Sequence, residues 1–123
     1  MLYKNKNHIL FIFIILFSLS ACNKDDNPAQ DNSRSVKYEV TGSASSVSLT
    51  LNNATRGTEQ IDSAPLPWAR SFTVQKGAFL YVSAQNNGSS GSITASVYVN
   101  NNLLQTVTSS GAYVIATASG DAP

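Results

Sequence analysis

Hydrophobic residues run without a break from Ile9 to Phe17, thin out from Ser18 to Ser35, and then return at every second position almost to the end of the chain. An unbroken apolar run suits a segment removed from water on all sides, whereas alternation at period two suits half-buried strands. Val36, Tyr38 and Val40 predict a first strand, closed by Thr41-Gly42-Ser43. Val47, Leu49 and Leu51 predict a second, ended by Asn52-Asn53 and the Arg56-Gly57 corner. Residues 58–63 read as a weaker third strand around Ile61. Pro65 and Pro67 withhold backbone donors on either side of Leu66, so this stretch is an edge or a crossing between sheets. Trp68 leads into Phe72 and Val74. Over residues 78–85, Phe79 and Tyr81 occupy one face and Leu80, Val82 and Ala84 the other, as in a central strand. Asn and Gly residues over 86–91 mark a loop. Ile93, Ala95, Val97 and Val99 then alternate cleanly, Asn100-Asn101-Asn102 turns the chain into residues 103–108, and Ser109-Ser110-Gly111 leads to Tyr113, Val114 and Ile115.

No segment carries a helical period. Seven to eight short strands within residues 36–119 predict an all-β domain, an antiparallel β-sandwich in preference to a barrel. The expected inward set is Tyr38, Val40, Val47, Leu49, Phe72, Val82, Ile93, Ala95, Val97 and Ile115, and residues 120–123 are expected as a disordered tail.

The segment before the strands has its own chemistry. Lys4 and Lys6 precede the apolar run, which is too short to cross a bilayer core of about 30 Å as a helix. A basic start, a short apolar run and small residues describe a secretory signal over residues 1–21. Leu19-Ser20-Ala21-Cys22 resembles the bacterial lipobox, in which cleavage before the cysteine leaves its thiol to carry a lipid, and Cys22 is the expected lipidation site. Two or three acyl chains there would exceed the marginal hold of a single one. Residues 22–35 then form the lipidated cysteine and a polar, Pro-containing tether without periodicity, expected to be flexible. Within it, Lys24-Asp25-Asp26 resembles the export signal of Bacteroidota lipoproteins. That likeness implies anchoring in the outer membrane, at the cell surface, with a periplasm-facing orientation as the alternative.

Composition narrows the remaining choices. The 123 residues carry 8 Lys+Arg against 7 Asp+Glu, and charged residues make up 12% of the chain, too few for a polybasic nucleic-acid binder or a charged disordered tail. Loss of residues 1–21 would remove Lys4, Lys6 and His8 and leave six basic residues against seven acids, a formal charge of −1. The mature chain would hold no histidine, and its one cysteine would be acylated. Beyond the tether the acids are Glu39, Glu59, Asp62 and Asp121. Glu59 and Asp62 are three apart on a strand and so face opposite sides. No nucleophile–base pair, carboxylate dyad or three-ligand metal site emerges, and a calcium site at Asp62 lacks the charge it needs. The expectation is a protein that is not an enzyme and uses no cofactor and no metal.

Tyr38-Glu39-Val40-Thr41-Gly42-Ser43, Leu66-Pro67-Trp68, Val82-Ser83-Ala84-Gln85-Asn86, residues 93–101 and Ser110-Gly111-Ala112-Tyr113 occur in that order. Together they resemble the C-terminal domain of the MmpS family, small mycobacterial membrane proteins that assist large exporters of lipids and siderophores. The likeness covers residues 36–119 and implies a small immunoglobulin-like β-sandwich outside the cytoplasmic membrane, without catalysis. Two departures stand out. The mycobacterial members have a transmembrane helix where this chain resembles a lipoprotein, and they usually carry a Cys pair near the positions of Ala95 and Ala116.

The expected partners are the membrane, through the N-terminal lipid, and a protein or envelope component, with a transport-accessory role implied by the likeness. The alternative is a carbohydrate-binding module in which Trp68, after its Pro-rich approach, stacks on a sugar beside Tyr98 or Tyr113. A third option is assembly through an exposed edge strand. Arg70 is a candidate contact for an anionic group. Asp62-Ser63-Ala64 resembles an O-glycosylation sequon of Bacteroidota, with Ser63 as acceptor.

Overall fold

The computed structural model describes residues 30–123. The expected leader, Cys22 and Lys24-Asp25-Asp26 therefore lie outside the described residues. Eight strands follow one another: β1 (Ser33–Gly42), β2 (Val47–Asn52), β3 (Thr58–Ala64), β4 (Trp68–Gln75), β5 (Phe79–Asn86), β6 (Ser92–Val99), β7 (Asn102–Ser110) and β8 (Ile115–Asp121). They form two antiparallel four-stranded sheets, ordered β4-β1-β6-β7 and β3-β2-β5-β8. This is the expected all-β sandwich. The Pro65–Pro67 stretch carries the chain from one sheet to the other, and the Leu66–Pro67 bond is cis.

The period-two pattern fixes which side chains enter the core. Val36, Tyr38 and Val40 of β1 and Ile93, Ala95 and Val97 of β6 are fully buried, facing Val47, Leu51, Val82 and Ala84 of the other sheet. Ala95 and Ala116 are both fully buried, one in each sheet. Phe72 stands opposite Val36 in the ladder and is half-buried, its ring edge-on to Tyr38 with centroids 5.0 Å apart.

Three expectations need correction. Ile115 pairs with Gln85 on the outer face and is 54% exposed, because the turn before β8 delivers Ala116 and Ala118 to the core instead. The fold begins earlier than Val36: Ser33 pairs with Gln75, and the Asp31 carboxylate accepts the Ser33 N–H at 2.9 Å, which holds the Asp31 pKa below its usual value. The disordered tail over 120–123 is also absent. β8 runs to Asp121, and Ala122 is buried, giving its N–H to Ala78 and accepting that of Gly77.

Side chains draw the open edges of the sandwich together. At the β3–β4 side, Arg70 lies opposite Tyr38 on the inner face and reaches Glu59 at 2.6 Å. At the β7–β8 side, Gln105 Oε1 accepts the Ser119 N–H at 2.6 Å and the Ser109 hydroxyl donates to the Ile115 carbonyl at 2.7 Å. The β7–β8 contacts occupy backbone groups that a bare edge would offer to a foreign strand.

Candidate functional site

Alternation along β5 places Leu80, Val82 and Ala84 inward, and the next inward position is Asn86. Asn86 is fully buried, so its amide must find partners inside the protein. It does so by holding loops. Its Nδ2 donates to the Ser90 carbonyl at 2.9 Å and to the Gly111 carbonyl at 3.0 Å, while its Oδ1 accepts the Gly88 N–H at 2.8 Å. Its backbone N–H donates to the Val114 carbonyl at 2.9 Å. One side chain thus joins the loop after β5 to the turn before β8.

The neighbouring loops are tied in the same way. Asn87 gives its N–H to the Ser46 carbonyl at 3.1 Å and accepts the Ser48 hydroxyl at 2.9 Å. Ser43 and Ala44 both donate to the Ser92 carbonyl, and the Ser92 N–H returns a bond to the Ser43 hydroxyl at 3.0 Å. Gly111 and Tyr113 donate to Gly91 and Gly88. Loops 43–46, 87–91 and 111–114 therefore form one bonded cluster at the end of the sandwich away from Ser33, where β1 starts. They contain no charged residue and are rich in Ser, Gly, Asn and Ala. Tyr113, 61% exposed, and Ile115, 54% exposed, stand on this end. Tyr with small polar residues on a braced scaffold is the composition of protein-binding loop surfaces.

The residues singled out in the sequence are not gathered on one platform. Tyr113 belongs to the loop cluster. Trp68 starts β4 opposite Val40, half-buried and packed against the core, with the Arg70 guanidinium 5.5 Å from its ring centre. Tyr98 lies on the outer face of the same sheet, where Lys37 Nζ sits 4.5 Å above its ring and 3.2 Å from Glu39. Arg70 is engaged by Glu59 and Trp68. Ser63 is exposed at a bulge of β3, with φ of 52°, where Leu49 pairs with Ile61 but Val47 pairs with Ala64. Asn86 escaped the sequence reading, which placed it in a loop. The signal was its position two residues beyond Ala84 in the inward series.

The described residues thus form a small β-sandwich with a braced loop surface at one end. The chain matches the Mycobacterium membrane protein family over residues 13–118, most of its length, and belongs to that family, the MmpS group of membrane-associated proteins. Among curated proteins, none matches it.

Proposed function

We propose that this protein is a non-catalytic, lipid-anchored envelope protein whose sandwich binds a protein or other envelope component through the Asn86-braced loop end, as an accessory to a transport assembly. The observation that carries this reading is the loop cluster itself: Asn86 ties loops 87–91 and 111–114 together, Asn87 and Ser92 tie loop 43–46 to them, and Tyr113 and Ile115 stand exposed at this end, away from Ser33. Bracing lowers the ordering cost that a flexible loop surface would meet on binding. The anchor is assigned to Cys22, and Lys24-Asp25-Asp26 directs the chain to the outer membrane and its surface. Exposure of Ser63 on a bulge supports its assignment as an O-glycosylation acceptor, which intact-mass analysis of native protein checks.

Stacking of a sugar on Trp68 draws no such support, because Trp68 is covered in part by Arg70 and shares no face with Tyr98 or Tyr113. The test is crosslinking and capture from intact cells with wild type and Tyr113→Ala. One partner lost in the variant supports the reading, whereas identical captures from both overturn the loop end as the binding surface. Metabolic labelling with a fatty acid, abolished by Cys22→Ala, tests the anchor separately.

A further inference from the structure

We infer that the corner formed by Phe79 and Tyr81 at the start of β5 seats on the bilayer surface, so that the sandwich is docked to the membrane by its own side chains as well as by its tether. This rests on the membrane anchoring proposed above. From Cys22 to Ser33 the chain has eleven residue steps, which extend to about 40 Å at most. A ten-residue strand such as β1 is itself about 34 Å long. Ser33, and with it the end of the sandwich where the tether attaches, therefore stays within about 40 Å of the lipid, roughly one strand length.

That end is assembled by the register. Ser33 pairs with Gln75, and Lys76 donates its N–H to the Asn32 carbonyl. β5 therefore starts beside the point where the tether enters. Phe79, 53% exposed, and Tyr81 point outward two residues apart, with ring centroids 6.3 Å apart. A phenyl ring that water half surrounds offers apolar surface to acyl chains, and the phenol beside it is a ring type enriched at the headgroup level. The turn residues Lys76 and Arg56 stand at the same end, both exposed, and their side chains bond to no other described residue. They suit lipid phosphates, whereas the distal loops contain no charged residue. Asp121 lies across from Phe79, so the corner is not a basic patch, and the rings rather than the charges carry the contact. Leu103 is exposed on the outer face of the other sheet and turns away from this corner.

The test uses the full chain, reconstituted in vesicles of phosphatidylethanolamine and phosphatidylglycerol brominated on the acyl chains. Trp68 is the natural tryptophan, so Trp68→Phe provides a silent background, checked by circular dichroism, into which Phe79→Trp or Tyr113→Trp is placed. Both variants are first floated with the vesicles. The inference expects Phe79→Trp to be quenched about two-fold or more over Tyr113→Trp, as befits a ring lying within about 5–10 Å of the headgroup boundary. Flotation with equal or absent quenching at the two positions overturns the seat and leaves the anchor standing. Failure to float overturns both.

Discussion

The phenolic oxygen of Tyr38, on β1 of one sheet, accepts the backbone N–H of Tyr81, on β5 of the other, at 3.1 Å. Tyr38 is fully buried, and the bond spans the core just where the paired part of β2 ends at Leu51, so that the Tyr81 amide would otherwise lack a partner. One hydroxyl thus links the two sheets and satisfies a donor that the ladder leaves over.

Replacing Tyr38 with Phe removes the acceptor and keeps the ring. The expected cost is about 1–3 kcal/mol in urea unfolding, the penalty for an orphaned buried amide. The pH dependence also has a sign. Burial raises the Tyr38 pKa above the ordinary value of 10.0, and the Tyr81 bond opposes this in part. The folded state then holds its proton where the unfolded chain has lost it. This contribution to stability is present in full below about pH 10 and declines as pH rises toward the folded pKa. Tyr38→Phe should lack that alkaline decline, which unfolding curves at successive pH values would show.

Asn86 makes a sharper prediction about the loops. Asn86→Ala leaves the Ser90 and Gly111 carbonyls without their donor, and a loss of about 2–3 kcal/mol is expected. Asn86→Asp should be worse, since a buried carboxylate would face two carbonyl oxygens. Hydrogen exchange distinguishes latch from general core: amides of residues 88–91 and 111–114 should lose protection far more than those of β1. Equal loss everywhere would remove the latch.

These two residues also show where reading the chain stops. The alternation along β1, β2, β5 and β6 reveals the sandwich, since one face of each strand must be apolar to make a core. Tyr38 was legible as a core residue, but its partner across the sheets depends on where β2 stops pairing. Asn86 carries the inward phase of β5, yet its amide chemistry looks like a turn residue. Ile115 failed for a related reason. Its apolar side chain suggests burial, but the phase of β8 is set by the turn at 111–114, and small Ala116 and Ala118 fill the inward sites. The loop surface was therefore visible only as three separate Ser- and Gly-rich breaks, because the bonds that unite them connect residues far apart in the chain, up to 49 positions for Ser43 and Ser92.

Gly42 tests the junction between β1 and the first distal loop. Its φ of 142° lies where L side chains are rare, and a Cβ there would run into the Ser92 carbonyl oxygen, the acceptor for both Ser43 and Ala44. Gly42→Ala should therefore destabilise by about 2–3 kcal/mol. Gly77→Ala is the contrasting case: its φ of 85° is strained, but a Cβ meets nothing, so a smaller cost near 1 kcal/mol is expected. Thermal unfolding of the pair separates collision from backbone strain.

The Arg70–Glu59 pair closes the β3–β4 edge, and its value should lie in packing more than in charge. The two side chains are 34% and 38% exposed, so water screens the attraction, and a double-mutant cycle should give a coupling under about 1 kcal/mol. Arg70 also lies 5.5 Å from the Trp68 ring centre and shields it. Because Trp68 is the natural tryptophan of the chain, its fluorescence reports this cover directly. Arg70→Ala should shift the emission to longer wavelength as water reaches the indole, while Glu59→Gln should leave it nearly unchanged. Arg70→Met, which restores bulk without charge, should bring the emission most of the way back. If only a restored positive charge reversed the shift, the edge would be held by the ion pair and the packing argument would fail.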